Sequence, residues 1–323
     1  MRLVALFLLA SFAVTASHAQ QDNAQTPPIA PAATEASTSL EAKLIPDITT
    51  LMRDVEEHQR TAEALRRQYL YHTVTTEEDL DGKGNIKKTT VEEHDIFYME
   101  GVPVDKLTRK DGKDLTPDEQ EKEDKRIDKV VREAKEKRAK REAKGEATDS
   151  QGDEVITLSR ILELGSFSNP RREIVNGRST IFIDYKGDPN AKSHTTFESI
   201  MKQIAGTLSV DEETRAVVSA DGHFVDNFHI GGGLVANVQK GFHFHTQQVY
   251  VNNELWLPSE IDAAGSARIL LFLHINGRIR ANFSNYRKFR ASATILPATT
   301  PAPSDDQSSP ATSPSIPPPT PPQ

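Results

Sequence analysis

The hydrophobic period of the chain changes several times, and each change marks an element. Ile48, Leu51, Met52, Val55, Ala62, Leu65 and Tyr69 recur at helical spacing, behind Pro46 and Asp47 as N-cap. From residue 69 the period shortens. Residues 69–76 are aromatic and β-prone, the turn sequence Asp81-Gly82-Lys83-Gly84-Asn85 follows, and 86–99 is expected to return as a hairpin. Residues 105–110 predict a third strand, closed by Asp111-Gly112. Strand signals resume at 154–164, 171–176 and 179–185, with Asn176-Gly177 as a turn. Phe197, Ile200, Met201 and Ile204 then line one face of a short helix.

The C-terminal half predicts mostly strands: 206–210, 215–224, 240–251, 255–264, 267–275 and 278–289. Asn276-Gly277 is its clearest two-residue hairpin signal. In the last strand Ile279, Ala281 and Phe283 point one way, against Arg278, Arg280, Asn282 and Ser284. Phe242, Phe244 and Tyr250 oppose His243, His245 and Gln247 in the same manner. One apolar face and one wet face on each strand imply a large antiparallel sheet, curled and supplied with few helices.

Segment 117–146 departs from this plan. Thr116-Pro117-Asp118-Glu119 reads as a capping box, with Pro at the first helical position. The segment 117–146 holds ten acids and eleven bases, with Gly145 as a stop. Ile127, Val130, Val131 and Ala134 leave only a narrow apolar stripe, with Ile127 as its contact to the core. The charges nearly cancel, which favours a solvated helix held by i,i+4 pairs over a nucleic-acid surface.

The two ends lie outside the predicted domain, 39–296. An apolar run, 3–14, behind Arg2 and before Ser17-His18-Ala19 reads as a secretory signal cut near Ala19. It is shorter than the ~20 residues a membrane-spanning helix needs. Residues 20–38 and 297–323, the latter with ten prolines, read as disordered linker and tail. The chain has no Cys, which excludes disulfides, thiol chemistry and a lipid attached at the mature N-terminus. The expected protein is therefore periplasmic or secreted, unanchored, and not a lipoprotein. Its formal net charge of −8 argues against nucleic acid or an anionic membrane as partner.

Candidate chemistry is sparse. His243 and His245 share a strand face, and an H-x-H pair with a third ligand suits zinc, but no carboxylate stands at a recognisable spacing. Polar-face histidines are preferred, and a metal-dependent hydrolase is the lesser alternative. Gly231-Gly232-Gly233 lacks the frame of a phosphate loop and reads as a bend or bulge in a strand. No nucleophile elbow or metalloprotease motif is present, so no catalytic residue, metal or cofactor is assigned.

The order of elements resembles the LolA/LolB/RseB-like lipoprotein-sorting superfamily. The hairpin Gly206-Thr207-Leu208-Ser209-Val210-Asp211-Glu212-Glu213-Thr214 and the closing Asn285-Tyr286-Arg287-Lys288-Phe289 carry the resemblance over about 40–290. The stretches 100–103 and 109–113, with the charged helix, resemble exported bacterial members of this group. The resemblance implies a mainly β (α+β) fold: an unclosed antiparallel β-barrel of about 11 strands with an N-terminal helix, a short lid helix and the charged insertion. It also implies a lipid or an acylated protein held on an apolar concave face. The candidate lining is Phe197, Ile200, Met201, Phe242, Phe244, Tyr250, Trp256, Phe272 and Phe283. The expected function is a non-enzymatic exported carrier or sensor. The alternative is an envelope scaffold whose charged helix contacts a protein partner.

Overall fold

The computed structural model describes residues 44–145, 148–153, 158–269 and 273–289. The order along the chain begins with α1 (Ile48–Arg66), β1 (Tyr69–Leu80), β2 (Ile86–Met99), β3 (Val102–Lys110), β4 (Lys113–Asp114) and α2 (Pro117–Glu142). It continues with α3 (Leu158–Leu164), β5 (Gly165–Val175), β6 (Arg178–Gly187), α4 (Thr196–Met201), β7 (Ile204–Asp211) and β8 (Val217–Phe224). The last elements are β9 (Phe228–Ile230), a 3₁₀ turn (Gly231–Gly233), β10 (Ala236–Val238), β11 (His243–Val251), β12 (Leu255–Ile269) and β13 (Leu273–Lys288). All strands join one antiparallel sheet in the order β4-β3-β2-β1-β13-β12-β11-β8-β7-β6-β5, with β10 on β12 and β9 on β10. The sheet does not close: β4 and β5 are its two ends. This is the mainly β, unclosed-barrel architecture that the strand pattern and the resemblance predict.

Helix starts follow the caps read from the sequence. Asp47 accepts the Thr50 N–H at 3.0 Å. At α2, Thr116 and Glu119 form the reciprocal capping box with Pro117 at the first position.

Four local expectations are overturned. The later part of predicted strand 154–164 is helix α3, while 154–157 lies outside the described residues. Ile161 and Leu164 are three apart and both buried, so helical periodicity decides this segment. Asn276-Gly277 is not a hairpin turn but the interior of β13, where Gly277 pairs with Gly265 of β12. A Cβ on Gly277 would meet the Glu78 carbonyl oxygen at 1.9 Å, so this glycine serves a close approach of β1 rather than a turn. Gly231-Gly232-Gly233 links two short strands that the sequence pattern did not reveal. Finally, a register shift opposite Gln247 and Gln248 separates Tyr250 from the face of Phe242 and Phe244.

The core has three parts. The largest lies on the inner face, from Tyr71 and Phe283 through Ile261, Ala263 and Phe244 to Phe224 and Ile204. On the same face, Ile181 and Ile183 of β6 and Val210 of β7 bury Leu51, Met52 and Val55 of α1. The third part is on the opposite face, where Val102 and Val104 of β3 pack against Ile127, Val131 and Ala134 of α2. The charged helix thus has a core of its own and contributes more than the single contact expected at Ile127. It also covers a sheet edge: the buried Glu123 carboxylate accepts the free N–H of Leu107 on β3 at 2.8 Å.

Candidate functional site

The inner face is the region that the sequence singled out. Phe283 is buried opposite Thr73, and its ring meets Tyr71 edge-on at 6.0 Å between centroids. Phe244 lies across from Gly222, where an added Cβ would come within 2.4 Å of the phenyl ring. Phe242 packs edge-on against Phe224 at 6.0 Å. From α4, Ile200 is buried in the same cluster and Met201 packs against it, while Phe197 is half-buried. Six of the nine candidate lining residues therefore lie on this cluster or on α4. Phe272 lies outside the described residues. Tyr250 and Trp256 lie elsewhere: they stack on each other at 5.2 Å beneath the Arg178 guanidinium, which is 4.9 Å and 5.6 Å from the two rings.

Among the described residues, helices give this large cluster only two buried side chains, Ala62 and Ile200. The remainder comes from strands and their connections. Several inner positions are alanine, including Ala236, Ala263, Ala267 and Ala281, interleaved with phenylalanines. A sheet face normally buries itself against a full second layer. Here the described part of that layer is thin.

The inner face also has a polar end that sequence reasoning missed. Thr73 and Thr75 on β1 and His94 on β2 are 0%, 5% and 9% exposed. Thr73 Oγ1, Thr75 Oγ1 and His94 Nδ1 make no hydrogen bond. A buried polar group left without a partner costs about 1–3 kcal/mol. Burial holds the His94 imidazole below its usual value, against the opposing pull of Asp105. The signal was legible in the alternation Tyr69, Tyr71, Thr73, Thr75, which places both threonines on the face of the buried tyrosines.

The hairpin that carried the family resemblance is built differently. Asp211, 1% exposed, receives Arg178 Nε at 2.6 Å, the Thr214 N–H at 2.8 Å and the Thr214 hydroxyl at 2.7 Å. Burial alone would raise this carboxyl, but Arg178 and the Thr214 donors outweigh it and hold it below its usual range. Next to it, Glu212 takes Arg172 Nε at 2.8 Å and the Ser179 hydroxyl at 2.6 Å. The Trp256 indole donates to Thr214 Oγ1 at 3.0 Å. These residues lock a turn.

The α4 helix is fixed by a similar pair. Arg160 of α3 donates to both oxygens of Glu198, at 2.8 Å and 3.0 Å, and its hydrogen bonds hold the carboxyl down at about 2. On the outer face, a groove of about 470 Å³ runs beside α2, lined by Met99, Val131 and Ala139 with Glu100, Arg132 and Lys135. The histidines considered for zinc are on the outer strand face: His243 stands opposite His223, and His245 Nδ1 lies 2.7 Å from Asp221. Among the described residues no three His, Asp or Glu side chains are grouped as a metal site. No described helix is long and apolar enough to cross a membrane.

No family model and no curated protein matches the sequence. Among solved structures, the chain is similar to an outer membrane lipoprotein-sorting protein domain from Vibrio parahaemolyticus, at 9% identity and a TM-score of 0.34, over 75% of this chain and 93% of that one. It is also similar to a DUF1329 family protein from Desulfovibrio piger, at 9% identity and a TM-score of 0.33, over 77% and 96% of the two chains. Likeness of this degree lends the present chain neither a ligand nor an activity.

Proposed function

We propose that the protein is an exported, non-enzymatic carrier or sensor that holds the acyl chain of a lipid or an acylated protein against the inner face of its sheet. The observation that carries this reading is the one-sided apolar cluster, to which the described helices add two buried side chains, Ala62 and Ile200, with Leu65 and Met201 packed at its margin. An acyl chain laid on this face adds apolar contact to the cluster. At about 0.8 kcal/mol per buried CH₂, a sixteen-carbon chain gives ample gross affinity with no polar contact at all. Small Ala side chains alternate with the phenylalanines on this face, and α4, pinned by Arg160–Glu198, would serve as a cover.

The experiment is organic extraction of the purified protein followed by mass spectrometry, with uptake of a fluorescent fatty acyl probe measured after delipidation. A stoichiometric co-purified lipid, or saturable uptake, is the expected result. An empty extract together with no uptake would defeat the carrier reading.

The groove beside α2 favours a second reading, an envelope scaffold that contacts a protein partner there. Its mixed lining of Met99, Val131 and Ala139 with Arg132 and Lys135 suits an amphipathic protein segment. Replacing Arg132 and Lys135 by Ala leaves acyl uptake intact under the carrier reading. Under the scaffold reading the same change removes the partner from a pull-down.

A further inference from the structure

The three unpaired polar groups on the inner face sit side by side. Thr73 and Thr75 project from β1 two residues apart, and His94 stands directly across from Thr73 on β2. On the other flank Thr73 faces Phe283 and Thr75 faces Ala281, both members of the apolar cluster. Each of the three side chains is more than nine-tenths buried, and Thr73 Oγ1, Thr75 Oγ1 and His94 Nδ1 have no partner. An apolar surface therefore ends in two hydroxyl donors and an imidazole, a composition suited to a ligand whose chain is apolar and whose end accepts hydrogen bonds.

We infer that this cluster receives the carbonyl of an acyl ester or amide, with the Thr73 and Thr75 hydroxyls donating to its oxygen and the chain lying against Phe283 and Ala281. The inference rests on the carrier reading and specifies the end of the ligand which that reading leaves open. Charge selects a neutral carbonyl over a free carboxylate. The nearest acids, Glu92 opposite Thr75 and Asp105 opposite Ile96, already hold Lys110 and Arg126. Arg126 is shared with a second carboxylate, Glu123. His94 is driven toward its neutral form by burial and supplies no full positive charge at neutral pH. A carboxylate brought here would lose its water beside two acids, whereas an ester carbonyl gains two O–H donors without burying a charge.

The test compares two competitors that differ only at the carbonyl. Delipidated protein is loaded with N-phenyl-naphthylamine, an apolar fluorescent probe, and the probe is displaced by monopalmitoylglycerol or by the matching hexadecyl glycerol ether. The ester should displace it at about tenfold lower concentration, the size expected for one or two net hydrogen bonds. In a Thr73→Val/Thr75→Val variant the ratio should fall to about one with the ether unchanged, and in Thr73→Ser/Thr75→Ser it should survive. Equal displacement by ester and ether in the unaltered protein overturns the inference while leaving the carrier reading intact. So does palmitate that competes better than the ester. A protein that takes up neither probe nor lipid defeats the carrier reading, and the inference with it. Should the Val variant fail to fold, the ester-to-ether ratio of the unaltered protein decides alone.

Discussion

Two of the places where the sheet buries polar side chains treat them in opposite ways. At the turn after β7, Asp211 and Glu212 are almost completely removed from water, yet Arg178, Arg172, Thr214 and Ser179 meet their oxygens at 2.6–3.0 Å. At the inner end of β1 and β2, Thr73, Thr75 and His94 are just as deeply buried, and three of their polar atoms meet no partner. Buried carboxylates are costly unless paired and hydrogen-bonded, so a turn that keeps them must bring its own cations. Unpaired hydroxyls are tolerated at lower cost, and each one calls for an explanation. The first region explains how the fold is held. The second has no such account among the described residues.

The contrast is broken most severely from the satisfied side. Asp211→Ala removes the carboxylate that Arg178 and Thr214 share, leaving the guanidinium stacked on Tyr250 and Trp256 with Glu213 as its acidic partner among the described residues. The expected loss is about 3–5 kcal/mol, the cost of breaking a buried pair. Urea unfolding monitored at Trp256 measures it directly. A loss below about 1 kcal/mol would mean the network is ornamental, and the comparison would lose its stable pole.

Glu198 offers a weaker version of the same pairing, with a sign that pH can test. Its folded-state pKa is depressed from 4.5 to about 2, chiefly by the Arg160 hydrogen bonds. A depressed carboxylate contributes stability that is complete above its unfolded value and lost as pH falls through its folded value. The α3–α4 clamp should therefore be at full strength at pH 6 and weaken progressively from about pH 4.5 toward pH 2. Glu198→Gln should cost about 2 kcal/mol at pH 6 and almost nothing at pH 2, in thermal melts of the two proteins at each pH. An equal penalty at both pH values would assign the effect to the packing of α4 rather than to the ion pair.

Much of this architecture was legible in the sequence, for identifiable reasons. The face of Ile279, Ala281 and Phe283 followed from strict alternation, and both helix starts followed from Asp47 and from Thr116 with Glu119, because these are local rules. Reading 154–164 as strand missed a local helical period, whereas two other errors came from non-local contacts. Asn276-Gly277 carries the right residues for a turn, but only the approach of β1 to Gly277 reveals why glycine is there. Tyr250 changed face because of a register shift between strands that no single strand displays. The candidate site was read only by half. Large apolar residues announce themselves, whereas two threonines within a tyrosine-rich strand look like ordinary β-formers until their hydroxyls are found unpaired.

A smaller change probes the satisfied turn from its aromatic side. Trp256→Phe keeps a ring beneath Arg178 but deletes the indole donor to Thr214 Oγ1. The expected loss is about 1 kcal/mol, one net hydrogen bond. Differential scanning calorimetry should resolve it, and a loss several times larger would show that ring size, not the donor, anchors the turn.

The smallest expected effect is the sharpest for the comparison, because its sign differs from the others. Thr75→Val exchanges an unpaired hydroxyl for a methyl of nearly the same shape, on a strand where β-branched residues are favoured. If the hydroxyl has no role in the fold, its removal ends a desolvation cost, and delipidated protein should be unchanged or up to about 1 kcal/mol more stable. The gain should shrink or reverse when monopalmitoylglycerol is present, since an added ligand stabilises the native state in proportion to its affinity. Paired urea titrations, with and without the lipid, read both numbers. A loss of more than about 1 kcal/mol in the delipidated protein would mean that the Thr75 hydroxyl is already satisfied within the chain, and the two buried polar regions would then follow the same rule.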